Sequence, residues 1–175
     1  MKILLWVLVL ALASRIEIPM VPVPITLQTL AVTMAGALLG WRQGVLAIVL
    51  WLALGAAGLP VLAGGSGGLE RFSGPTAGYL FAFPLAGGAV GWLGSRGWMR
   101  QLWPAFAAML MGNAICLVLG AGWLAVALGP ERALVAGLLP FLPGAVLKSA
   151  VGALSCVWVA GRFPMAQQDP PAPLR

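Results

Sequence analysis

The sequence predicts an all-α, polytopic membrane protein with six transmembrane helices. Three observations lead there. Of 175 residues, 61% are hydrophobic and only 8% are charged, against about 25% charged in a soluble domain. The charges stand singly at the edges of apolar runs rather than in clusters. The apolar runs are broken at intervals by Gly, Pro and short polar turns, as spans joined by loops would be.

The first apolar run, Ile3–Ala13, follows Lys2 and ends in Ala11-Leu12-Ala13-Ser14. It reads equally as a short span or as a signal peptide with a small-x-small cleavage site. Pro19, Pro22 and Pro24 follow, and prolines at such spacing make Ile16–Ile25 extended. The stretch Leu27–Ala63 is apolar except at Trp41-Arg42-Gln43, which predicts helices over about 27–40 and 44–59. Residues Pro60–Gly74 include Gly64-Gly65-Ser66-Gly67-Gly68 and are a loop. Pro75 suits a first helical residue and opens a helix over about 75–94. A further helix spans about 104–127, and Glu131-Arg132 mark a polar turn. The last helix spans about 144–161, after Pro140 and Pro143. Residues 1–162 thus form one membrane domain, and 163–175 a polar, Pro-rich cytoplasmic tail.

The net charge of +6 suggests nucleic acid only until the charges are placed. With the N-terminus in the cytoplasm, Lys2, Arg42, Arg96, Arg100, Arg162, Arg175 and Asp169 fall inside. Arg15, Arg71 and Arg132 fall outside with Glu17, Glu70 and Glu131, leaving Lys148 within a span. A positive inner side and a neutral outer side are what membrane insertion favours. The expected location is therefore a cell membrane, with both termini cytoplasmic. Small residues repeat at Ala31/Ala35, Gly36/Gly40, Gly87/Gly91 and Ala108/Gly112, a spacing that lets helices approach closely in lipid. It serves internal packing or docking of a partner helix.

Much chemistry is excluded. The chain has no histidine, hence no Ser–His–acid arrangement and no His-based metal site. Lys148-Ser149 lacks the preceding glycine loop of a phosphate-binding motif. The four acidic residues lie in loops or the tail, so no carboxylate pair sits within the bilayer to relay ions. Cys116 and Cys156 each lie inside an apolar run and read as small buried hydrophobes. Neither an enzyme nor a resident cofactor or metal is expected.

What remains suits binding of a small solute. A lysine at a helix centre costs about 2.5–3.5 kcal/mol on insertion scales, and Lys148 has no acid nearby in sequence. It either snorkels to outer headgroups or waits for a ligand carboxylate or carbonyl. Gln28 and Asn113 are costly in lipid unless hydrogen-bonded; each joins helices or lines a pocket. Thr26, Thr29, Thr33, Ser149 and Ser155 complete the polar set. Tyr79 anchors an interface or closes the pocket. The glycine loop is a flexible connection or a close-fitting cover, since glycines let backbone approach a ligand.

These segments, taken in order, resemble a known family. The run Glu17-Ile18-Pro19-Met20-Val21-Pro22-Val23-Pro24-Ile25-Thr26-Leu27-Gln28-Thr29-Leu30, then Met34-Ala35-Gly36-Ala37-Leu38-Leu39-Gly40, is similar to BioY. BioY is the biotin-specific substrate-binding S component of energy-coupling-factor (ECF) transporters. Gly58-Leu59-Pro60-Val61 with the 64–68 glycines resembles the family's outer loop. Gly74-Pro75-Thr76-Ala77-Gly78-Tyr79 resembles its most recognisable motif, and Pro140-Phe141-Leu142-Pro143-Gly144 leading to Lys148 its last-helix motif. The likeness covers about residues 15–160.

The resemblance implies six helices with both termini cytoplasmic, and favours the first run as a span over a cleaved leader. It implies biotin as transported ligand, and as partners a transmembrane coupling subunit and two ATP-binding subunits. It implies a pocket in the outer half of the membrane. There Lys148 and Asn113 hold polar parts of the ligand, Thr26 and Gln28 line it, Tyr79 closes it, and Gly65 and Ser66 belong to a 64–68 lid. One position departs from the pattern. The family usually reads Pro-Gly-Asp-x-x-Lys, and here Ala145 replaces the acid. A carboxylate three residues before a lysine lies on the same helix face. Its loss leaves Lys148 more exposed and puts affinity, or the ligand's identity, in question. The alternatives are an S component for a different small vitamin or precursor, and a membrane assembly protein that binds no ligand.

Overall fold

The computed structural model describes residues 1–162; residues 163–175, read above as a polar tail, lie outside the described residues. Helix α1 (Lys2–Ala13) leads into an extended segment carrying β1 (Glu17–Ile18) and β2 (Ile25–Thr26). The two strands are antiparallel, with Glu17 opposite Thr26 and Ile18 opposite Ile25. Helices α2 (Gln28–Leu39) and α3 (Trp41–Ala56) follow, then 3₁₀ turns at Ala63–Gly65 and Leu69–Phe72. Helices α4 (Ala77–Ser95) and α5 (Leu102–Leu128) flank a 3₁₀ turn at Trp98–Arg100. A short α6 (Pro130–Arg132) runs through a π-helical stretch, Ala133–Leu138, and a 3₁₀ turn, Leu139–Phe141, into α7 (Leu142–Arg162).

The all-α membrane fold is therefore as expected, with local differences that have physical causes. The break between α2 and α3 is Gly40 alone, at φ 78°, a backbone state open to glycine. Trp41-Arg42-Gln43 form the first turn of α3 rather than a connector. Pro75 stands outside α4, whose N-cap is Thr76. Residues 130–141, expected as a polar turn and loop, are helical. Pro140 and Pro143 lack the N–H that a regular ladder needs, and the hydrogen-bond register there shifts to π and 3₁₀.

Ala77–Ser95, Leu102–Leu128 and Pro130–Arg162 are long and apolar enough to cross a membrane, by length and composition. Lys2–Ala13, Gln28–Leu39 and Trp41–Ala56 are shorter apolar helices. Twelve helical residues rise about 18 Å, short of a hydrocarbon core of about 30 Å. Outward faces are apolar, with Leu4, Leu5 and Leu8 on α1, Val118 and Val126 on α5 and Leu147 and Leu154 on α7 all exposed. Water would not tolerate so much contiguous apolar surface; lipid does.

Helix α1 packs on α3 and α2, α2 on α4, and α5 against both α4 and α7. Leu10, Ile48, Trp51 and Leu124 are fully buried in the main core. The α3–α4 loop folds back onto this core. Leu62 fills the space that a Cβ at Gly55 would take, and Trp51 Nε1 donates to Val61 O at 2.8 Å. Gly68 N donates to Gly55 O at 2.8 Å. The glycine loop is thus a folded cover rather than a loose connection.

Candidate functional site

A cavity of about 330 Å³ lies under that cover, within the range of small-molecule sites. Its walls come from the β1–β2 segment, Leu62–Gly64 and Ser66 of the loop, and one face each of α4, α5 and α7. Tyr79, Leu80, Phe83, Leu117 and Phe141 supply apolar surface, while Glu17, Arg71 and Lys148 are its charged liners.

Lys148 is held across the cavity by the start of α2. Its Nζ donates to Thr26 O at 3.0 Å and to Thr29 Oγ1 at 2.7 Å. An ammonium has three donors, so one remains for a ligand. Lys148 therefore does not snorkel outward; it points inward and joins α7 to α2. Thr26 is itself fixed, since its Oγ1 donates to Gln28 Oε1 at 3.0 Å. Gln28 Nε2 donates to Ser14 Oγ at 3.1 Å, and Ser14 Oγ donates to Leu10 O at 2.6 Å. Gln28 thus both lines the cavity and latches α2 to α1, which satisfies its amide without water.

Asn113 is buried on α5 and lines the cavity. Its Nδ2 donates to Met109 O and to Ser149 Oγ, both at 3.1 Å. Because Met109 O can only accept, the amide nitrogen is assigned to that side. Oδ1 keeps an acceptor without a protein donor among the described residues. Tyr79 is no interfacial anchor. It is buried, donates to Gly137 O at 2.5 Å and stacks on Phe141 with centroids 6.1 Å apart. Gly120 leaves room for its ring, which a Cβ there would strike. Ser66 lines the cavity with its hydroxyl turned to Ala63 O at 2.7 Å. Gly65 lies outside the lining, against the guanidinium of Arg15; its neighbour Gly64 is the loop glycine that faces the cavity.

Residues that sequence reasoning did not place here are Thr29, Glu17, Arg71, Phe83 and Phe141. Thr29 had no readable signal, because Thr26 lies in β2 and only Thr29 is on α2, so helical spacing does not relate them. Glu17 and Arg71 were counted only as outer-loop charges. Cys116 also lines the cavity, and both cysteines are free and buried.

The hydroxyl of Tyr79 carries a structural prediction. Tyr79→Phe removes the hydroxyl donor to Gly137 O in a π-helical turn, at a cost of about 0.5–1.5 kcal/mol. Thermal unfolding in detergent is expected to fall by several degrees, and an unchanged transition refutes this role.

The chain is similar to known proteins over nearly its whole length. Residues 1–164 match the family model described as the BioY family. A probable biotin transporter BioY of Pyrococcus horikoshii is 39% identical, over 86% of this chain and 88% of that protein. The biotin transporter BioY of Rhizobium etli is 40% identical, over 85% of this chain and 83% of that protein. A crystal structure of the S-component for biotin from an ECF-type ABC transporter superposes with a TM-score of 0.81 at 28% identity. That match covers 93% of this chain and 92% of the other.

Proposed function

The chain belongs to the BioY family, and from that membership we propose that it is a membrane-embedded S component that binds biotin and mediates its uptake with an ECF energising module. The observation that carries this reading is the cavity under the loop with a lysine fixed in its wall and one ammonium N–H to spare. Biotin has an aliphatic acid chain ending in a carboxylate, and a fused ring whose ureido group presents N–H donors beside a carbonyl. Lys148 and Arg71 suit the carboxylate. The Tyr79, Phe83 and Phe141 side chains suit the chain and the sulfur ring. Asn113 Oδ1 suits a ureido N–H. Thr26 and Gln28 act by holding Lys148 and the α1–α2 corner, and Ser66 and Gly65 by shaping the cover. The chain is a transport protein rather than an enzyme.

Energy must come from elsewhere, because the sequence has no phosphate-binding loop. The partners we assign are a transmembrane coupling subunit and two ATP-binding subunits. The membrane is the cell membrane, with both termini cytoplasmic. Three arginines stack on tryptophans at the end assigned to the cytoplasm. Arg42 lies over Trp41 at 5.0 Å, Arg96 over Trp92 at 3.5 Å and Arg162 over Trp158 at 4.5 Å. Cationic and indole groups together suit an inner headgroup layer.

The experiment is equilibrium binding of tritiated biotin to purified protein in detergent or nanodiscs. Saturable binding of one biotin per chain is expected. No saturable binding at micromolar ligand rules the reading out. Ala145, buried in the cavity wall where the family usually has an acid, favours one second reading: a different small vitamin or precursor. A thermal-shift panel with biotin, dethiobiotin, riboflavin and thiamine separates the two by which ligand raises the transition most.

A further inference from the structure

Among the described residues, Glu17 is the only acidic side chain lining the cavity. Its Oε2 is enclosed and has no hydrogen-bond partner, the one buried side-chain atom among the described residues of which this is true. Buried acceptors are seldom left unpaired, because desolvation is then uncompensated. The backbone is built around this carboxylate. Gly64 in the cover, at φ 63°, faces Oε1, and a Cβ there would lie 2.9 Å from it. Glu17 is also the register partner of Thr26, whose carbonyl holds Lys148 Nζ. Paired positions in an antiparallel ladder share one face. An unpaired anion and a cation with a spare donor therefore flank one backbone position. No ion pair links Glu17 to Arg15, Arg71 or Lys148 among the described residues.

We propose that Glu17 is a specificity-determining residue that accepts hydrogen bonds from the N–H donors of the ligand, while Lys148 takes its carboxylate. The cavity then selects molecules that carry an acid at one end and an amide- or urea-like N–H group at the other. A ligand N–H that reaches the Glu17 carboxylate pairs it without an ion pair, which a carboxylate end cannot do. Ala145 offers no acceptor from α7, so Glu17 supplies the anionic one from the extended segment. The assignment rests on the biotin reading above.

The test is binding of biotin and of biotinol, in which the carboxylate is reduced to an alcohol, to wild type and Glu17→Gln. Glu17→Gln keeps size and one acceptor oxygen but removes the charge. Biotin affinity is expected to fall about tenfold to a hundredfold, the range for a hydrogen bond to a charged group. The ratio of biotin to biotinol affinity should stay at its wild-type value, because Lys148 is untouched. Glu17→Asp, which withdraws the carboxylate while keeping its charge, should also weaken biotin, and serves if the Gln variant folds poorly. Biotin bound equally or more tightly by Glu17→Gln overturns the proposal while the biotin reading stands. So does a biotin-to-biotinol ratio that changes in Glu17→Gln, since Glu17 would then be acting on the acid end. If wild type binds no biotin, the functional reading itself fails and this assignment with it.

Discussion

Replacing Lys148 by Met is expected to weaken biotin binding roughly 30-fold to a few thousand-fold. Truncating one member of a buried, hydrogen-bonded charge pair costs about 2–5 kcal/mol, and every 1.4 kcal/mol is about tenfold. Much of that is the cost of leaving the ligand carboxylate with Arg71 as its one cationic partner among the described residues of the cavity wall. Met keeps the unbranched stem, so packing along α7 is retained and the head group alone is removed. The free protein loses two bonds, to Thr26 O and Thr29 Oγ1. Thr29 can turn its hydroxyl to a carbonyl one turn back, whereas Thr26 O loses its ammonium donor. A modest fall in thermal stability should therefore accompany the large loss of affinity. Lys148→Arg is expected to fall between, because a planar fork cannot place one donor on each of Thr26, Thr29 and ligand as a rotating ammonium does. Equal biotin affinity in Lys148→Met and wild type, at equal folded fraction, removes Lys148 from the site.

The helices were legible because lipid imposes a simple demand: apolar residues outside, backbone hydrogen bonds satisfied within the element. Apolar runs and the alternation of Arg42, Arg96 and Arg162 with Arg15 and Arg71 therefore located every long helix. The exact seams were less legible. Gly40 and Trp41-Arg42-Gln43 all look like breakers, and only the positive φ of Gly40 distinguishes the break from the helix it starts. The helical stretch between α5 and α7 was hidden by its prolines, which in a loop and in a π-helix leave the same composition.

Lys148 stood out because an intramembrane charge is rare enough to demand a reason. Its partners did not stand out, for they lie 119 and 122 residues away and belong to ordinary threonines. Gln28 and Asn113 were correctly marked as costly. Whether such an amide serves packing or ligand depends on which neighbour takes its donors. Ser14 takes those of Gln28, while Asn113 keeps an acceptor free. Glu17 was the hardest to read. One acidic residue beside one basic residue in a loop looks like neutral surface. Only the fold shows that the carboxylate turns under the glycine cover.

The glycines of α2, α3 and α4 support the second large effect, on stability. A Cβ at Gly36 would lie 2.0 Å from Gly87 O and 2.8 Å from Gly87 C. One at Gly91 would lie 2.6 Å from Trp41 Cα, and one at Gly44 2.8 Å from Gly36 Cα. These contacts are backbone on backbone, so no side chain can swing away to relieve them. Overpacking ordinarily costs about 1–3 kcal/mol, and here the helices themselves must separate. Gly36→Ala is expected to reach or exceed the top of that range, and Gly36→Leu to prevent recovery of monodisperse protein. Separation of α2 from α4 also moves Thr26 and Thr29 away from Tyr79, so residual folded Gly36→Ala should bind biotin more weakly. Gly122 on α5 is the control: nothing lies within 4 Å of a Cβ there. Gly122→Ala should be neutral or stabilising, by up to about 1 kcal/mol of helix propensity. The measurement is gel filtration and thermal unfolding of both variants. Equal transitions for Gly36→Ala and Gly122→Ala refute a tight three-helix node. A large loss at Gly36 alone ties the spacing of small residues to packing within the chain, and through α2 to the position of the lysine's partners.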